Sequence, residues 1–262
     1  MNLAVRIRSS IPKSIRIFFR NFLGLSSVEQ RFNTIIEDAR TSLEYRVTSL
    51  ENRVRILYEL HEKPISQIRW SSAKPTNDLT WGRQISGNAF IGKAAEHIGF
   101  STEKSILEIG PGYGRLLRAC LEMSIPFSNY YAVELSPINC SYLVTAFNLP
   151  NVHIINADAE SVDLQCRADI VLSSLTFKHL SPTFEGVLAN ISRQIPPSAI
   201  IAFDLIEGAG QHFEADGVTF IHIYSKDEVM AILERVGLSL VAFDTVRHDA
   251  DHVRMLVVAA KG

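Results

Sequence analysis

Three closely spaced glycines form the segment of this sequence best suited to hold a ligand. Gly110, Gly112 and Gly114 follow a short apolar stretch and precede a helical pattern. Glycine lets the backbone approach a ligand closely, and a helix N-terminus adds free N–H groups and the positive end of a dipole. Such a loop suits a dinucleotide, a nucleotide phosphate or the aminoacyl part of S-adenosylmethionine. The dinucleotide pattern GxGxxG is not met, because Arg115 stands where its last glycine would be.

Two acidic residues lie at the ends of later strand patterns. Glu134 closes the strand pattern 130–134, where a carboxylate can accept hydrogen bonds from the hydroxyl groups of a ribose. Asp158 and Ala159 follow the pattern 152–156, where a carboxylate can accept from an adenine amino group and the next N–H can meet a ring nitrogen. Ordinary solvated or turn residues are the alternative for each position.

A further polar residue, Ser174, ends the predicted fourth strand, 170–174. Ligands of open α/β sheets bind at the carboxyl ends of the strands, where the strand order reverses. We therefore expect Ser174, the glycine loop and both acids to meet at one edge of the sheet.

His179 and Asp204 are the candidate catalytic residues. Imidazole titrates near neutral pH, so His179 is a candidate general base for a hydroxyl group. The alternative is a residue that packs at a helix start beneath the ligand. Asp204 ends the predicted fifth strand and could orient a hydroxyl or accept its proton; capping of a turn is its alternative.

Two segments outside these strand ends also carry ligand-type side chains. Arg83 could pair with a carboxylate through its planar fork, with Trp81 as a wall of the pocket, or both could belong to a packed linker. The segment 248–252, HDADH, offers four metal-type side chains. Because it falls in a predicted hairpin turn, where Asp is favoured, we predict no metal site there.

Alternating helix and strand patterns from about residue 79 position these candidates. Strands are predicted at 105–109, 130–134, 152–156, 170–174, 200–205, 240–246 and 254–260, with helices at 86–100, 115–123, 138–147, 184–194 and 226–236. Strands separated by helices form βαβ units and a parallel sheet covered on both faces. Only a short link, 247–253, joins the last two strands, so they are predicted to pair antiparallel.

This arrangement resembles the class I S-adenosylmethionine-dependent methyltransferases. The matching pieces are LEIGPGYG at 107–114, AVELS at 132–136, NADAE at 156–160, ADIVLSSL at 168–175 and YSKDEVMAILERVG at 224–237. The resemblance covers residues 79–262. It implies an α/β fold, a Rossmann-like, doubly wound sheet of seven strands with the last strand antiparallel.

The resemblance also implies a cofactor, S-adenosyl-L-methionine, and a role for each matching residue. It assigns the loop glycines to the methionine part, Glu134 to the ribose, and Asp158 with Ala159 to the adenine. Glu108 occupies the family position that orients the loop and the cofactor amino group.

The first 28 residues are basic and carry no acidic side chain. Their apolar residues recur at three- and four-residue steps, which predicts an amphipathic helix. Such a helix can lie on an anionic membrane surface. Packing on the protein's own body or on a partner chain is the alternative.

Residues 29–63 read as a long helix with an apolar position every seven residues, at Ile36, Leu43, Leu50 and Leu57. This spacing indicates a coiled coil that forms a homodimer, or a long helix packed across the catalytic domain. Pro64 is expected to end the helix and 64–78 to be a linker.

The composition limits the classes of function. A net charge of −2 and a hydrophobic fraction of 47% describe an ordinary globular protein without the basic field of nucleic-acid binding. The three cysteines are widely spaced, which argues against a disulfide framework or a zinc cluster. No membrane-spanning run or signal-peptide pattern is found. We expect a cytoplasmic protein, associated with the inner face of the membrane if residues 1–28 bind it.

These observations predict a methyltransferase that methylates an oxygen of a small-molecule or glycan-like acceptor by in-line transfer. The Asn/Asp-Pro-Pro-Tyr signature of many amino-group methyltransferases is absent, since the fourth strand continues Ser173-Ser174-Leu175-Thr176. The main alternative is a non-catalytic scaffold that keeps the fold and assembles through residues 29–63. A nucleotide-dependent oxidoreductase is disfavoured by the glycine spacing.

Overall fold

A computed structural model describes residues 12–22, 24–74, 86–248 and 253–262. It divides into two compact units, Met1–Leu60 and His61–Gly262. Trp81 and Arg83 lie outside the described residues, as does most of the 248–252 segment, so their predicted roles stay predictions.

The larger unit is built around a seven-stranded sheet. Its strands are β1 (Ile106–Ile109), β2 (Tyr130–Glu134), β3 (Val152–Asn156), β4 (Ile170–Ser173), β5 (Ile200–Ile206), β8 (Leu238–His248) and β9 (Val253–Lys261), in the order β3-β2-β1-β4-β5-β9-β8. Strands β1 to β5 pair in parallel, and β9 runs antiparallel to both of its neighbours. The predicted α/β fold with a reversed last strand is confirmed.

Helices cover both faces of this sheet. They are α3 (Gly87–Ala95), α4 (Arg115–Glu122), α5 (Pro137–Ala146), α6 (Glu185–Gln194) and α7 (Lys226–Arg235). Strands β1 and β4 are buried along their whole length, because apolar clusters pack on both sides of them. Ser136 and Ser225 accept hydrogen bonds from the first turns of α5 and α7, which fixes where these helices begin.

A short hairpin after β5 was not predicted from the sequence. Strands β6 (Gly210–Phe213) and β7 (Phe220–Ile223) pair antiparallel in a separate two-stranded sheet. The strand β6 is largely exposed, so it lacks the apolar alternation that marks a half-buried strand. A single turn of 3₁₀ helix, Phe177–His179, lies beside β7.

Two helices precede the sheet, α1 (Lys13–Phe22) and α2 (Leu25–Ser71). Helix α1 carries exposed Ile15, Phe18 and Phe22, and its contact with a membrane stays a prediction. None of the described helices has the length and apolar character to span a bilayer.

Pro64 does not end α2, contrary to the prediction, and the helix continues to Ser71. The last turns are held by tertiary contacts: the Ser66 hydroxyl donates to the carbonyl oxygen of His179 at 2.7 Å. Such contacts offset the backbone hydrogen bond that proline cannot make. The segment predicted as a linker from residue 64 is therefore helical for its first eight residues, 64–71.

Candidate active site

A cavity of about 330 Å³ lies at the carboxyl ends of β1, β2 and β4. This volume falls at the lower end of the range usual for small-molecule sites. The predicted site residues that line it are Glu108, Gly110, Gly112, Glu134, Asp158, Ala159, Ser174 and His179. The strand ends thus converge as expected, whereas Gly114 and Asp204 support the cavity from behind its wall.

The glycine loop adopts a backbone that other residues rarely adopt. Gly110 and Gly114 have φ angles of 68° and 81°. A Cβ at Gly110 would stand 2.4 Å from the Thr176 side chain, and one at Gly114 would stand 2.3 Å from the ring of Phe147. Both positions therefore require glycine for conformation and for space.

Glu134 is clamped by the backbone of the loop and of the turn after β2. The Gly112 N–H donates to one carboxylate oxygen at 2.9 Å, and the Ser136 N–H donates to the other at 2.8 Å. Burial raises the pKa of Glu134, while these two donors and the Asn139 side chain act in the opposite direction. The carboxylate is thus fixed in orientation at the cavity wall.

Glu108 lies beneath the loop and is almost fully buried. The Tyr130 hydroxyl donates to its carboxylate at 2.7 Å. Burial raises the pKa of Glu108 to about 7, although Tyr130 and Arg115 oppose the rise. Glu108 can therefore change its charge near neutral pH. Because it lines the cavity, its carboxylate form would attract a cationic group of a bound ligand.

The last turns of α2 form a wall of the cavity that sequence patterns did not reveal. Gln67 Nε2 donates to Asp158 Oδ2 at 3.0 Å, and Lys63 forms an ion pair with Glu160. The other oxygen of Asp158 accepts from the Glu160 N–H at 2.9 Å. The residues of this wall, called here the α2 wall, are Lys63, Ser66, Gln67, Arg69 and Trp70.

Asp204 is the centre of a buried polar network and does not line the cavity. Its carboxylate pairs with Arg254 at 2.8 Å and accepts from the Ser174 hydroxyl. It also accepts from the Leu175 N–H at 2.7 Å. Burial alone would raise the pKa of Asp204, but Arg254 and these donors outweigh it and lower the pKa.

The prediction that Asp204 meets the acceptor is therefore not supported. A base must lie within hydrogen-bond reach of the proton it removes, and Asp204 is fully buried with both oxygens engaged. Leu175 has a φ of 64°, a left-handed conformation that is costly for this residue type. Asp204 holds that turn, and so positions Ser174 and Leu175 at the cavity surface.

His179 lines the cavity in a defined tautomer. Its Nδ1 lies 2.8 Å from the carbonyl oxygen of Phe220, which can only accept, so Nδ1 carries the proton and Nε2 is an acceptor. Burial lowers the pKa of His179 well below its usual value, with Lys178 adding to the effect. The ring packs against Trp70 at 4.3 Å. His179 is thus a neutral imidazole at pH 7.

Charged groups surround His179 on the side of the β6–β7 hairpin. Lys178 is almost fully buried at the cavity, and burial lowers its pKa to about 8. Glu214 and Asp216, from the hairpin, also line the cavity. Arg69 Nε donates to the Thr219 hydroxyl at 3.2 Å. This end offers both donors and acceptors to a polar ligand.

Comparison with known proteins agrees with this geometry. Residues 107–203 match the family model described as a methyltransferase domain. A glycopeptide N-methyltransferase solved with S-adenosylmethionine shares 17% identity over 68% of this chain and 95% of its own, with a TM-score of 0.56. Two further S-adenosylmethionine-dependent methyltransferases share the fold. The one from Clostridium acetobutylicum has 15% identity over 68% of this chain and 91% of its own, with a TM-score of 0.53. The one from Mesorhizobium loti has 16% identity over 66% of this chain and 97% of its own, with a TM-score of 0.54. No curated protein sequence matches the chain.

Proposed function

We propose, from the premise that this chain belongs to the class I S-adenosylmethionine-dependent methyltransferases, that it methylates a hydroxyl group of a small-molecule or glycan-like acceptor. The assignment of the cofactor rests on the carboxylate of Glu134, which two backbone N–H groups hold beside the glycine loop at the strand ends.

The residues of the cavity fit S-adenosylmethionine group by group. The Glu134 oxygens each use one lone pair on a backbone N–H, which leaves a lone pair for a ribose hydroxyl. Asn139 Oδ1, at the same wall, is buried without a hydrogen-bond partner among the described residues. Glu108 lies beneath the loop, where it can face a cationic amino group. When bound, the cofactor supplies an electrophilic methyl group.

His179 is the proposed base for the acceptor hydroxyl. The neutral ring keeps Nε2 as an acceptor because Nδ1 donates to the Phe220 carbonyl. That hydrogen bond and the Trp70 ring hold the imidazole in one orientation. The lowered pKa of His179 keeps Nε2 unprotonated at neutral pH, so it can accept the hydroxyl proton, although the same burial makes the ring a weaker base than a free imidazole.

Calorimetric titration with S-adenosylmethionine, S-adenosylhomocysteine and NAD tests the cofactor. We expect both sulfur nucleotides to bind and NAD to be silent. Glu134→Ala should weaken binding by about 10- to 100-fold, since charge-assisted hydrogen bonds contribute about 1.5–3 kcal/mol each. Glu122→Ala, on the exposed surface of α4, is the matched control. Failure of both sulfur nucleotides to bind would favour the scaffold alternative, and binding of NAD would favour an oxidoreductase.

Paired acceptors that differ only in a hydroxyl or an amino group test the chemistry. We expect methyl transfer to the hydroxyl member, and we expect His179→Gln to lower kcat by roughly 100-fold or more while cofactor affinity is kept. Transfer to the amine alone, or a His179→Gln variant with full kcat, would contradict O-methylation with His179 as base.

A further inference from the structure

We propose that residues 36–57 of α2 pair with the same segment of a second copy of this chain as a parallel, two-stranded coiled coil. The inference concerns assembly, so it does not depend on the proposed function.

An exposed apolar stripe on α2 is the first observation. Ile36, Leu43, Val47 and Leu50 are 49%, 60%, 51% and 58% exposed in the single chain. They lie at alternating steps of seven, four and three residues, so they share one face of the helix. This stripe is called the seam. Leaving large apolar side chains in water forgoes about 25 cal/mol for each Å² that a partner would cover.

The residue types along the seam favour two strands. Leu43, Leu50 and Leu57 occupy heptad position d, and Val47 and Val54 occupy position a. A β-branched residue at a with Leu at d favours a dimer over higher oligomers, because of how each side chain enters the hole on the facing helix.

Charges beside the seam favour the parallel orientation. Position e is acidic in three successive heptads, at Glu37, Glu44 and Glu51, whereas position g is basic at Arg46 and Arg53. A parallel pair brings the basic position g of one helix to the acidic position e of the other, which sets opposite charges together. An antiparallel pair brings e to e and g to g, which opposes like charges.

Arg40 gives the pair a defined register. It is the charged residue at position a, and its Nε donates to Glu44 of the same helix at 2.9 Å. In register, the two copies of Arg40 share one polar layer between Ile36 and Leu43, and each guanidinium keeps Glu44 of its own helix as counter-charge. A slip by one heptad would set Arg40 against Val47 and leave its charge in an apolar layer.

Sedimentation equilibrium of the full chain tests the assembly. We expect twice the chain mass of 29.3 kDa. The double variant Leu43→Asp with Leu50→Asp should raise the dimer dissociation constant by roughly 100-fold or more. Tyr45→Asp is the matched control, because Tyr45 is 76% exposed on the opposite face of the helix. A monomeric wild-type chain, a trimer or tetramer, or a double variant that stays dimeric would overturn the proposal.

Disulfide trapping tests the orientation. A parallel pair in register places the two copies of residue 47 side by side, so Val47→Cys should form a covalent dimer on mild oxidation. The wild-type chain controls for Cys120, Cys140 and Cys166. An antiparallel pair sets position a against position d, so residue 47 faces residue 43 when the two segments are centred on residue 45. Cross-linking only in a mixture of Val47→Cys and Leu43→Cys chains would therefore overturn the parallel arrangement.

Discussion

Apolar residues serve α2 and the sheet in opposite ways. In the sheet unit, leucine, valine and phenylalanine are buried in two clusters on the two faces of the strands. On α2 up to Leu50, the described side chains of the same residue types are half or more exposed. The sheet completes its core within one chain, whereas the seam repeats every seven residues and stays exposed in the single chain. Apolar residues in the strand patterns are buried within the chain, whereas those at heptad spacing on α2 are left exposed.

Truncation of one aromatic residue in each region should give the largest contrast. Phe203 is fully buried against Phe177 and Phe184, with ring centres 5.0 and 5.2 Å away. We expect Phe203→Ala to lower the free energy of unfolding by about 3–5 kcal/mol. Tyr45→Ala on α2 should change it by less than about 0.5 kcal/mol. Urea unfolding measures the free energy of unfolding of both variants. Equal losses would contradict the difference in burial between the two regions.

Removing a buried charge should lower the free energy of unfolding nearly as much as truncating a buried ring. Asp204→Asn leaves Arg254 buried without its counter-charge, which costs about 3 kcal/mol or more. Asp38→Asn, an exposed change on α2, should cost little. Urea unfolding at neutral pH compares the two variants.

The pH dependence has a definite sign at Asp204. The folded pKa lies below the ordinary value, so the carboxylate stabilises the fold above the unfolded pKa of about 4 and loses that contribution as the pH falls through the folded value. Asp204→Asn should lack this acid-side loss. A variant of normal stability that has lost a limb of its pH–rate profile would instead restore Asp204 as a base.

Burial at Glu108 should make cofactor affinity depend on pH. With its pKa raised to about 7, the carboxyl is neutral below that pH and charged above it. Three neighbouring groups also act on the pKa of Glu108: the hydrogen bond from Tyr130 and the charge of Arg115 lower it, and the charge of Glu134 raises it. Affinity for S-adenosylmethionine should therefore rise by up to about tenfold between about pH 6 and 7.5, because only the carboxylate attracts the cofactor amino group. Calorimetry measures this, Glu108→Gln should flatten it, and an unchanged slope would contradict the role.

The smallest expected effect is at Gln67 in the α2 wall. Gln67→Leu removes the hydrogen bond to Asp158, and we expect affinity for the cofactor to fall by about three- to tenfold, since one such bond contributes about 0.5–1.5 kcal/mol. Gln30→Leu, exposed on the same helix, is the control. Tighter binding would mean that Gln67 competes with adenine for Asp158.

Sequence patterns predicted what is local along the chain. The strands of the seven-stranded sheet and the positions of Glu134 and Asp158 follow from apolar runs and the residues at their ends, and the reversed last strand follows from the short link before it. The α2 wall was missed because Gln67 meets Asp158 from 91 positions away in sequence. Asp204 has the strand-end position of a catalytic acid, and only its pairing with Arg254, 50 positions later, reveals the structural role.

The passage of α2 through Pro64 bears on how this protein can be shortened. Trimming the chain to residues 79–262, the region that resembles class I methyltransferases, would keep every strand that the structure describes. It would also delete Ser66, Gln67 and Trp70, and so open one side of the ligand pocket to solvent around His179. A shortened chain that keeps the α2 wall should therefore begin no later than His61, the first residue of the larger unit.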